Sequence, residues 1–183
     1  VQRLSRSYII KRAAAFIASS TASREAQIAY GADEKKCFIS YLTVDIQKYL
    51  YEKPQKTTQN EGLQLLYVGS LIQRKGLDLL LPALAKTPQN IRLWIVGEGQ
   101  EKDLLQKQCT ELKISDRVEF LGYQEGEPLQ KLYRTADAFV LPTREDCFGL
   151  VLLEAMCASL PIISSKYAAV SYTHLRAHET PEH

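Results

Sequence analysis

Histidine is missing from most of this chain. All three histidines fall in the last ten residues, at His174, His178 and His183. The lack of an earlier histidine argues against Cys147 as a nucleophile, because no imidazole is available to activate its thiol. Cysteine is also sparse, and the absence of a CxxC pair is typical of reduced thiols in a cytoplasmic protein rather than of a disulfide framework. The four cysteines are Cys37, Cys109, Cys147 and Cys157.

Long apolar runs and an excess of charge of one sign are lacking too. No apolar run approaches the length that a bilayer crossing needs. The net charge of +2 gives no sign of a nucleic-acid or acidic partner. Hydrophobic residues make up 45% and charged residues 24%, as in soluble globular proteins. The 183 residues suffice for one domain or for parts of two, and because Val1 stands inside a predicted helix we expect a fragment.

The composition changes abruptly after Ala168. The segment from Ser171 to Thr180 resembles a translated sequencing adapter, so we expect residues 170–183 to be a non-native tail. His174 and His178 are spaced as one face of a zinc-binding helix would place them. We favour chance residues over a metal site, and we predict no metal ligand in this chain.

Short apolar runs alternate with amphipathic stretches after a polar segment at 52–62, which we predict to be a linker. This alternation predicts βαβ units, a parallel sheet and right-handed crossovers. The loops after the strands should meet at one edge of the sheet, where ligands of open α/β sheets bind. Pro82 conflicts with its predicted helix, and we expect a kink or a late helix start there.

The pattern gives the following limits. Strands are predicted at 14–19, 37–42, 63–68, 91–96, 118–121, 138–141 and 160–163, and helices at 3–13, 22–30, 77–85, 101–112, 128–136 and 150–158.

The segment 142–156 is the most informative part of the sequence. Asp146 stands eight residues before Glu154, with the loop residues Phe148 and Gly149 and the start of a helix at Leu150 between them. A loop that enters a helix presents unpaired N–H groups and the positive end of the helix dipole, which suit a phosphate or a sugar oxygen. Two carboxylates beside it can accept hydrogen bonds from hydroxyls. The segment therefore predicts a cradle for a phosphorylated polyol.

A second candidate element follows the predicted strand 63–68. Gly69 permits a sharp turn, and Arg74 and Lys75 place two positive charges just before a helix. Fixed positive charge beside N–H groups suits a diphosphate, both as a ligand and as a leaving group. When these two residues are taken alone, solvated surface charge is the better explanation of them.

Together these elements resemble family 4 (group 1) glycosyltransferases of GT-B architecture. Asp146 and Glu154 match the acid-x7-acid signature, in which the first acid is often Glu, and Lys75 matches the family lysine. Ser70 is a departure, because an arginine is common at its position. The resemblance implies a Rossmann-like parallel α/β sheet with helices on both faces, truncated at both ends. Residues 1–51 would be the end of the acceptor-side domain, 52–62 the linker and 63–169 an incomplete donor-binding domain.

The resemblance also implies roles for individual residues. Lys75 and Asp146 would be catalytic, with Lys75 on the departing diphosphate and Asp146 on a hydroxyl of the donor sugar. Glu154 would take the ribose hydroxyls, and the backbone near Leu121 would line the nucleobase pocket. No cofactor is implied, since a nucleoside diphosphate sugar is the donor substrate. The implied donor-binding residues are Gly69, Ser70, Arg74, Lys75, Leu121, Gly122, Tyr123, Asp146, Cys147, Phe148, Gly149, Leu150 and Glu154.

The implied activity is transfer of a hexosyl group, with retention of configuration, to a saccharide or lipid-linked acceptor in polysaccharide biosynthesis. We expect the fragment to be inactive by itself. A nucleotide-sugar epimerase and a non-catalytic nucleotide-sugar binding module stay open as alternatives. A nicotinamide-dependent dehydrogenase is weaker, because Lys102 replaces the third glycine of the fingerprint that Gly97 and Gly99 begin. Contact of a cytoplasmic protein with a membrane surface, through Arg3, Arg6, Lys11 and Arg12, is a lesser alternative to a solvated basic face.

Overall fold

A computed structural model describes residues 8–10, 12–41, 43–49, 62–146 and 149–168. The chain divides into two compact units, Val1–Thr43 and Val44–His183. This division lies before the boundary expected at residue 51. Of the predicted linker only Gly62 is among the described residues, and the predicted tail lies outside them. The helix predicted at 3–13 is described only in part, and residues 8–10 of it are helical.

The first unit contains two parallel strands and a helix. Strand β1 (Phe16–Ala18) pairs with β2 (Cys37–Ile39), and helix α1 (Thr21–Ala29) connects them. The helix begins where the Oγ atom of Ser20 accepts a hydrogen bond from the N–H of Ser23 at 3.1 Å, which satisfies one of the unpaired donors of the first turn. These three elements confirm the strands and the helix predicted for this part of the chain.

The second unit is a five-stranded parallel sheet with helices between successive strands. The strands are β3 (Leu63–Val68), β4 (Ile91–Val96), β5 (Val118–Gly122), β6 (Ala138–Leu141) and β7 (Ile162–Ser164). The helices are α2 (Leu77–Ala85), α3 (Lys102–Glu111), α4 (Gly126–Thr135) and α5 (Leu150–Cys157). The strand order is β5-β4-β3-β6-β7, so the winding reverses between β3 and β6. This is a doubly wound α/β fold, as the alternation predicted.

The core explains why the strands read as continuous apolar runs. Successive side chains of a strand point to opposite faces of the sheet. Leu66 and Tyr67 are adjacent in β3, and both are fully buried, as are Ile95 and Val96 in β4. Both faces of the central strands are therefore covered, which is typical of a parallel sheet between two helical layers.

Pro82 lies within α2, which begins at Leu77 as predicted, so of the kink or late helix start that we expected, the late start is wrong. A proline has no N–H to donate to the carbonyl four residues earlier, which here belongs to Asp78. The side-chain amide of Gln108 in α3 donates to that carbonyl at 3.1 Å instead. The neighbouring helix thus satisfies the acceptor that the proline leaves unpaired. Across the described ranges, no helix has both the length and the apolar character that a membrane span requires.

Candidate functional site

The carboxyl ends of β3 and β6 define the candidate site. These two strands are neighbours in the sheet, although about 70 residues separate them along the chain. The helices that follow them lie on opposite sides of the sheet in a doubly wound fold, which opens a crevice between the two loops. The first loop is 69–76 after β3, and the described part of the second is 142–146 after β6, together with Gly149.

An ion pair joins the two loops. The Nζ atom of Lys75 lies 2.5 Å from the Oδ2 atom of Asp146, and only 13% and 10% of these side chains are exposed. Lys75 ends a 3₁₀ turn, Gln73–Lys75, that precedes α2. The other carboxylate oxygen of Asp146 accepts the N–H of Gly149 at 3.2 Å, and its backbone N–H donates to the carbonyl of Tyr167. The structure therefore brings together the two residues predicted to be catalytic.

Two arginines tie the same loops through reciprocal hydrogen bonds. Arg74 donates from Nη1 to the carbonyl of Glu145 at 2.9 Å, and Arg144 donates from Nη1 to the carbonyl of Gln73 at 2.7 Å. The backbone N–H of Arg144 also donates to the carbonyl of Arg74 at 2.8 Å. We call residues 73–74 and 143–145 the loop clasp. Arg74, which was predicted to contact the donor, is thus engaged with the opposite loop.

Asp78 and the side chain of Thr143 stabilise the loop clasp through further polar contacts. Both carboxylate oxygens of Asp78 lie 2.7 Å from the guanidinium of Arg144, and these hydrogen bonds lower the pKa of Asp78. The buried hydroxyl of Thr143 lies 3.1 Å from the carbonyl of Arg74 and 2.8 Å from that of Glu145. The bidentate geometry of the ion pair and the buried hydroxyl of Thr143 both restrict the relative position of the two loops. The clasp therefore holds Lys75 and Asp146, the next residues along each loop, at contact distance.

Gly76 allows the two loops to come this close. Its φ is +73°, and a Cβ atom at this position would lie 2.2 Å from the carbonyl oxygen of Pro142. A side chain is therefore excluded by both the backbone conformation and the opposite loop. From the sequence we predict a requirement for glycine only at Gly69, so this second requirement is a new finding of the structure.

Tyr67 fixes the turn at Gly69 and Ser70. This fully buried tyrosine donates its hydroxyl to the carbonyl of Ser70 at 3.0 Å. Burial raises the pKa of Tyr67 above its ordinary value, and the nearby charge of Asp146 raises it further. The phenol thus stays a proton donor beneath the loop. Sequence reasoning read this tyrosine as part of a strand and missed its contact with the loop.

The end of β5 carries the residues predicted to line the nucleobase pocket. The pairing with β4 shifts register there: Ile95 pairs with Phe120, whereas Val96 pairs with Gly122, which leaves Leu121 as an extra residue. The carbonyl of Leu121 accepts a hydrogen bond from the side-chain amide of Gln124 at 2.8 Å. Such bulges redirect a strand end and are common beside binding sites.

In the sheet order, one strand, β4, lies between this bulge on β5 and the strands β3 and β6 whose loops form the clasp. Tyr123, at the exit of β5, is 68% exposed, and its hydroxyl donates to Glu125 at 2.9 Å. A ligand that reached both the clasp and Tyr123 would therefore have to extend along the carboxyl edge of the sheet.

Glu154 lies inside α5, which begins at Leu150 after Gly149. Its Oε2 atom accepts a hydrogen bond of 2.7 Å from the hydroxyl of Tyr133, a residue that sequence reasoning missed. The signal that pointed to a partner was the apolar stretch around Glu154, because a carboxylate in such a place needs a donor. The predicted site residues Cys147 and Phe148 lie outside the described residues.

The fold and the site define a class, the glycosyltransferases with GT-B architecture. A solved relative is HepE of Anabaena in complex with UDP and glucose, with 26% identity and a TM-score of 0.76 over 93% of this chain and 49% of that one. The chain matches the model of the group 1 glycosyl transferases over residues 51–174, and it belongs to this family.

Curated relatives agree with this assignment. An uncharacterized glycosyltransferase of Methanocaldococcus jannaschii is 38% identical over 109 residues, which cover 58% of this chain and 28% of that protein. The lipopolysaccharide core biosynthesis glycosyltransferase LpsE of Rhizobium meliloti is 32% identical over 115 residues, which cover 63% of this chain and 33% of LpsE. The chain therefore spans about a third or less of these relatives and about half of the solved structure.

Proposed function

We propose that this chain carries the donor site of a retaining glycosyltransferase that moves a hexosyl group from a nucleoside diphosphate sugar to a saccharide or lipid-linked acceptor. The observation that carries the proposal is the Lys75–Asp146 pair at the point where the strand order reverses. HepE, which is similar in fold, has been solved with UDP and glucose, and LpsE is named for lipopolysaccharide core biosynthesis. A nucleotide-sugar donor and a glycan acceptor fit both relatives.

In this proposal Lys75 contacts the diphosphate. Its ammonium group has three N–H donors, so it can keep one on Asp146 and direct another to a phosphate oxygen. During transfer the bond between the anomeric carbon and the phosphate oxygen breaks, and the electron pair leaves with the diphosphate. A positive charge fixed beside that oxygen stabilises the leaving group as negative charge develops there. The acceptor hydroxyl forms the new bond to the anomeric carbon, and its proton passes to the departing diphosphate.

The other predicted residues surround this centre. Asp146 accepts a hydrogen bond from a hydroxyl of the donor sugar. The backbone at Gly149 and Leu150, at the start of α5, approaches the sugar and the phosphates. Cys147 and Phe148 are proposed as donor-binding residues from the sequence alone. The diphosphate lies beside Gly69, Ser70 and Arg74. The nucleobase lies beside Leu121, Gly122 and Tyr123, and the ribose lies beside Glu154. A cytoplasmic location is part of the proposal and rests on the cysteine usage.

Calorimetric titration of the chain with UDP, GDP and ADP tests the donor site. We expect one nucleotide to bind, and we expect Lys75→Met to weaken its binding at least tenfold, or about 1.4 kcal/mol. Lys131→Met is the matched control, because it removes an exposed lysine from α4 in the same unit. If no nucleotide binds, or if the two variants bind equally well, the proposed donor site is wrong.

A further inference from the structure

A buried phenol meets the carboxylate of Glu154. Tyr133, on α4, is fully buried, and its hydroxyl donates to Oε2 of Glu154 at 2.7 Å. A hydrogen bond from a neutral donor to an ionised acceptor is stronger than one between two neutral groups. The next residue of α5, Ala155, is also fully buried, so the backbone that carries Glu154 is fixed against the core. The orientation of this carboxylate therefore depends on Tyr133.

Two aromatic contacts fix the ring of Tyr133. It stacks on Phe139 of β6, with ring centroids 5.8 Å apart and an angle of 25° between the rings. Tyr49 meets it edge-on, with centroids 5.5 Å apart and an angle of 89°. Both arrangements are favourable for aromatic pairs. The ring has little freedom to turn, so its hydroxyl points at Glu154 in one fixed direction.

Tyr49, which packs edge-on against Tyr133, also lies near the carboxylate of Glu154. Burial raises the pKa of Tyr49 to about 12, and the charge of Glu154 and a side-chain hydrogen bond with it contribute. The same causes raise the pKa of Tyr133 well above its ordinary value. Both phenols therefore keep their protons at neutral pH, and Tyr133 donates its hydrogen bond to Glu154.

The number of acceptor sites limits what else Glu154 can bind. An ionised carboxylate offers about four lone-pair sites on its two oxygens. The phenol of Tyr133 occupies one of them, and that of Tyr49 lies close by, which leaves room for two further donors. Two neighbouring hydroxyls of one ligand, as in the cis-diol of a ribose, would supply them.

We propose that Tyr133 and Tyr49 are positioning residues, which orient the Glu154 carboxylate so that it accepts hydrogen bonds from the ribose diol of the donor nucleotide. This inference rests on the proposed function for the placement of the ribose at Glu154. It adds two residues that the sequence analysis did not select, and it predicts that these residues affect recognition of the ribose more than binding of the diphosphate.

The test compares each ribonucleotide with its 2′-deoxy counterpart. Calorimetry would measure UDP against dUDP, GDP against dGDP and ADP against dADP, on the whole chain and on its variants. For the nucleotide that binds, we expect the chain to favour the ribo form about tenfold, the effect of one charge-assisted hydrogen bond. Tyr133→Phe should reduce this preference to about threefold or less, with the loss falling on the ribo form.

Tyr41→Phe is the matched control, because it removes an exposed phenol hydroxyl from the first unit and should leave the preference unchanged. Tyr49→Phe should lower the preference in the same direction as Tyr133→Phe. Tyr49 is less buried, so this variant decides the question if Tyr133→Phe does not fold. If the folded phenylalanine variants weaken the ribo and deoxy forms by the same factor, the two tyrosines are only structural and the inference is overturned.

Glu154→Gln separates this inference from the proposed function. If Glu154→Gln abolishes the ribose preference while Tyr133→Phe and Tyr49→Phe keep it, the ribose placement stands and the positioning role is wrong. If Glu154→Gln keeps the preference, the ribose placement itself is wrong. In that case the Lys75→Met titration still decides whether a diphosphate binds at the loop clasp.

Discussion

The Lys75–Asp146 ion pair gives the sharpest test of the site as described. Its charged atoms are 2.5 Å apart, and both side chains are nearly buried. At an effective dielectric of about 20, Coulomb's law gives an attraction of roughly 7 kcal/mol before desolvation is counted. Desolvation of two buried charges offsets most of this attraction, so the intact pair adds little net stability. Removing one partner has a larger effect, because the other charge then stays buried while it loses this counterion.

These terms set the expected free energies of unfolding. Lys75→Met should lower the stability by about 3 kcal/mol, because the charge of Asp146 stays fixed beside the loop clasp. Asp146→Asn should lower it by about 2 kcal/mol, since the flexible lysine can move its ammonium group toward water. The double variant should lose no more than Lys75→Met alone, about 3 kcal/mol, which leaves a coupling energy of about 2 kcal/mol.

Urea unfolding followed by tryptophan fluorescence measures this cycle. Trp94 is the only tryptophan in the sequence, and it lies on β4 in the second unit, so its emission reports the unit that holds the pair. The four proteins should show equal slopes against urea, which makes their free energies comparable. Additive losses in the double variant would refute the coupling. A loss below about 0.5 kcal/mol for Lys75→Met would refute the burial of the pair, because changes of that size are typical of exposed residues.

Gly76→Ala should destabilise the second unit by about 3 kcal/mol or more, because the new Cβ atom would lie 2.2 Å from the carbonyl oxygen of Pro142 at a φ of +73°. Gly126→Ala is its control, because Gly126 has a φ of +59° and no atom lies within 4 Å of the new Cβ. Urea unfolding of this variant should show a loss of stability of only about 1 kcal/mol. Equal losses in the two variants would contradict the close approach of the loops. The ion pair of Asp78 with Arg144 predicts that stability depends on pH, because Arg144 lowers the pKa of Asp78 in the folded state. The stabilisation by this pair is therefore present above the ordinary carboxyl pKa, and it is lost as the pH falls through the pKa of Asp78 in the folded state. The stability difference between the unmodified chain and Asp78→Asn should shrink between about pH 5 and pH 3, and a constant difference would argue against the pair.

Local patterns were sufficient to predict most of the fold. The limits of β3, β4 and β6 agree with the prediction to the residue, because each is a short apolar run between polar or turn-forming residues. Pro82 shows where local reasoning failed. The acceptor that this proline leaves unpaired is satisfied by Gln108, which follows it by 26 residues, and no local pattern reports such a contact.

The candidate site, like the fold, could be predicted from the sequence only in part. Lys75 and Asp146 could be predicted to meet, because parallel strands with right-handed crossovers bring their loops to one edge. The residues that hold Lys75 and Asp146 in place could not be predicted from the sequence. Tyr133 has the position of an ordinary core residue in an amphipathic helix, and only the structure shows that its hydroxyl contacts Glu154, 21 residues later. Side-chain hydrogen bonds between elements depend on rotamers and packing, which periodicity does not specify.

Arg74 has two effects on the site, and they can be separated. Its guanidinium ties the loops by donating to the carbonyl of Glu145, and its positive charge acts across the site, where it opposes the rise in the pKa of Tyr67. The charge matters because Ser70 stands where the resemblance leads one to expect an arginine. We expect Arg74→Lys, which keeps the charge but loses the planar fork, to bind the selected nucleotide within about threefold of the unmodified chain. Arg74→Met loses both, and its binding should weaken about fivefold to tenfold, or roughly 1 kcal/mol. If Arg74→Lys binds as weakly as Arg74→Met in calorimetry, the tie between the loops is the important contribution, and Arg74 does not replace the missing arginine charge.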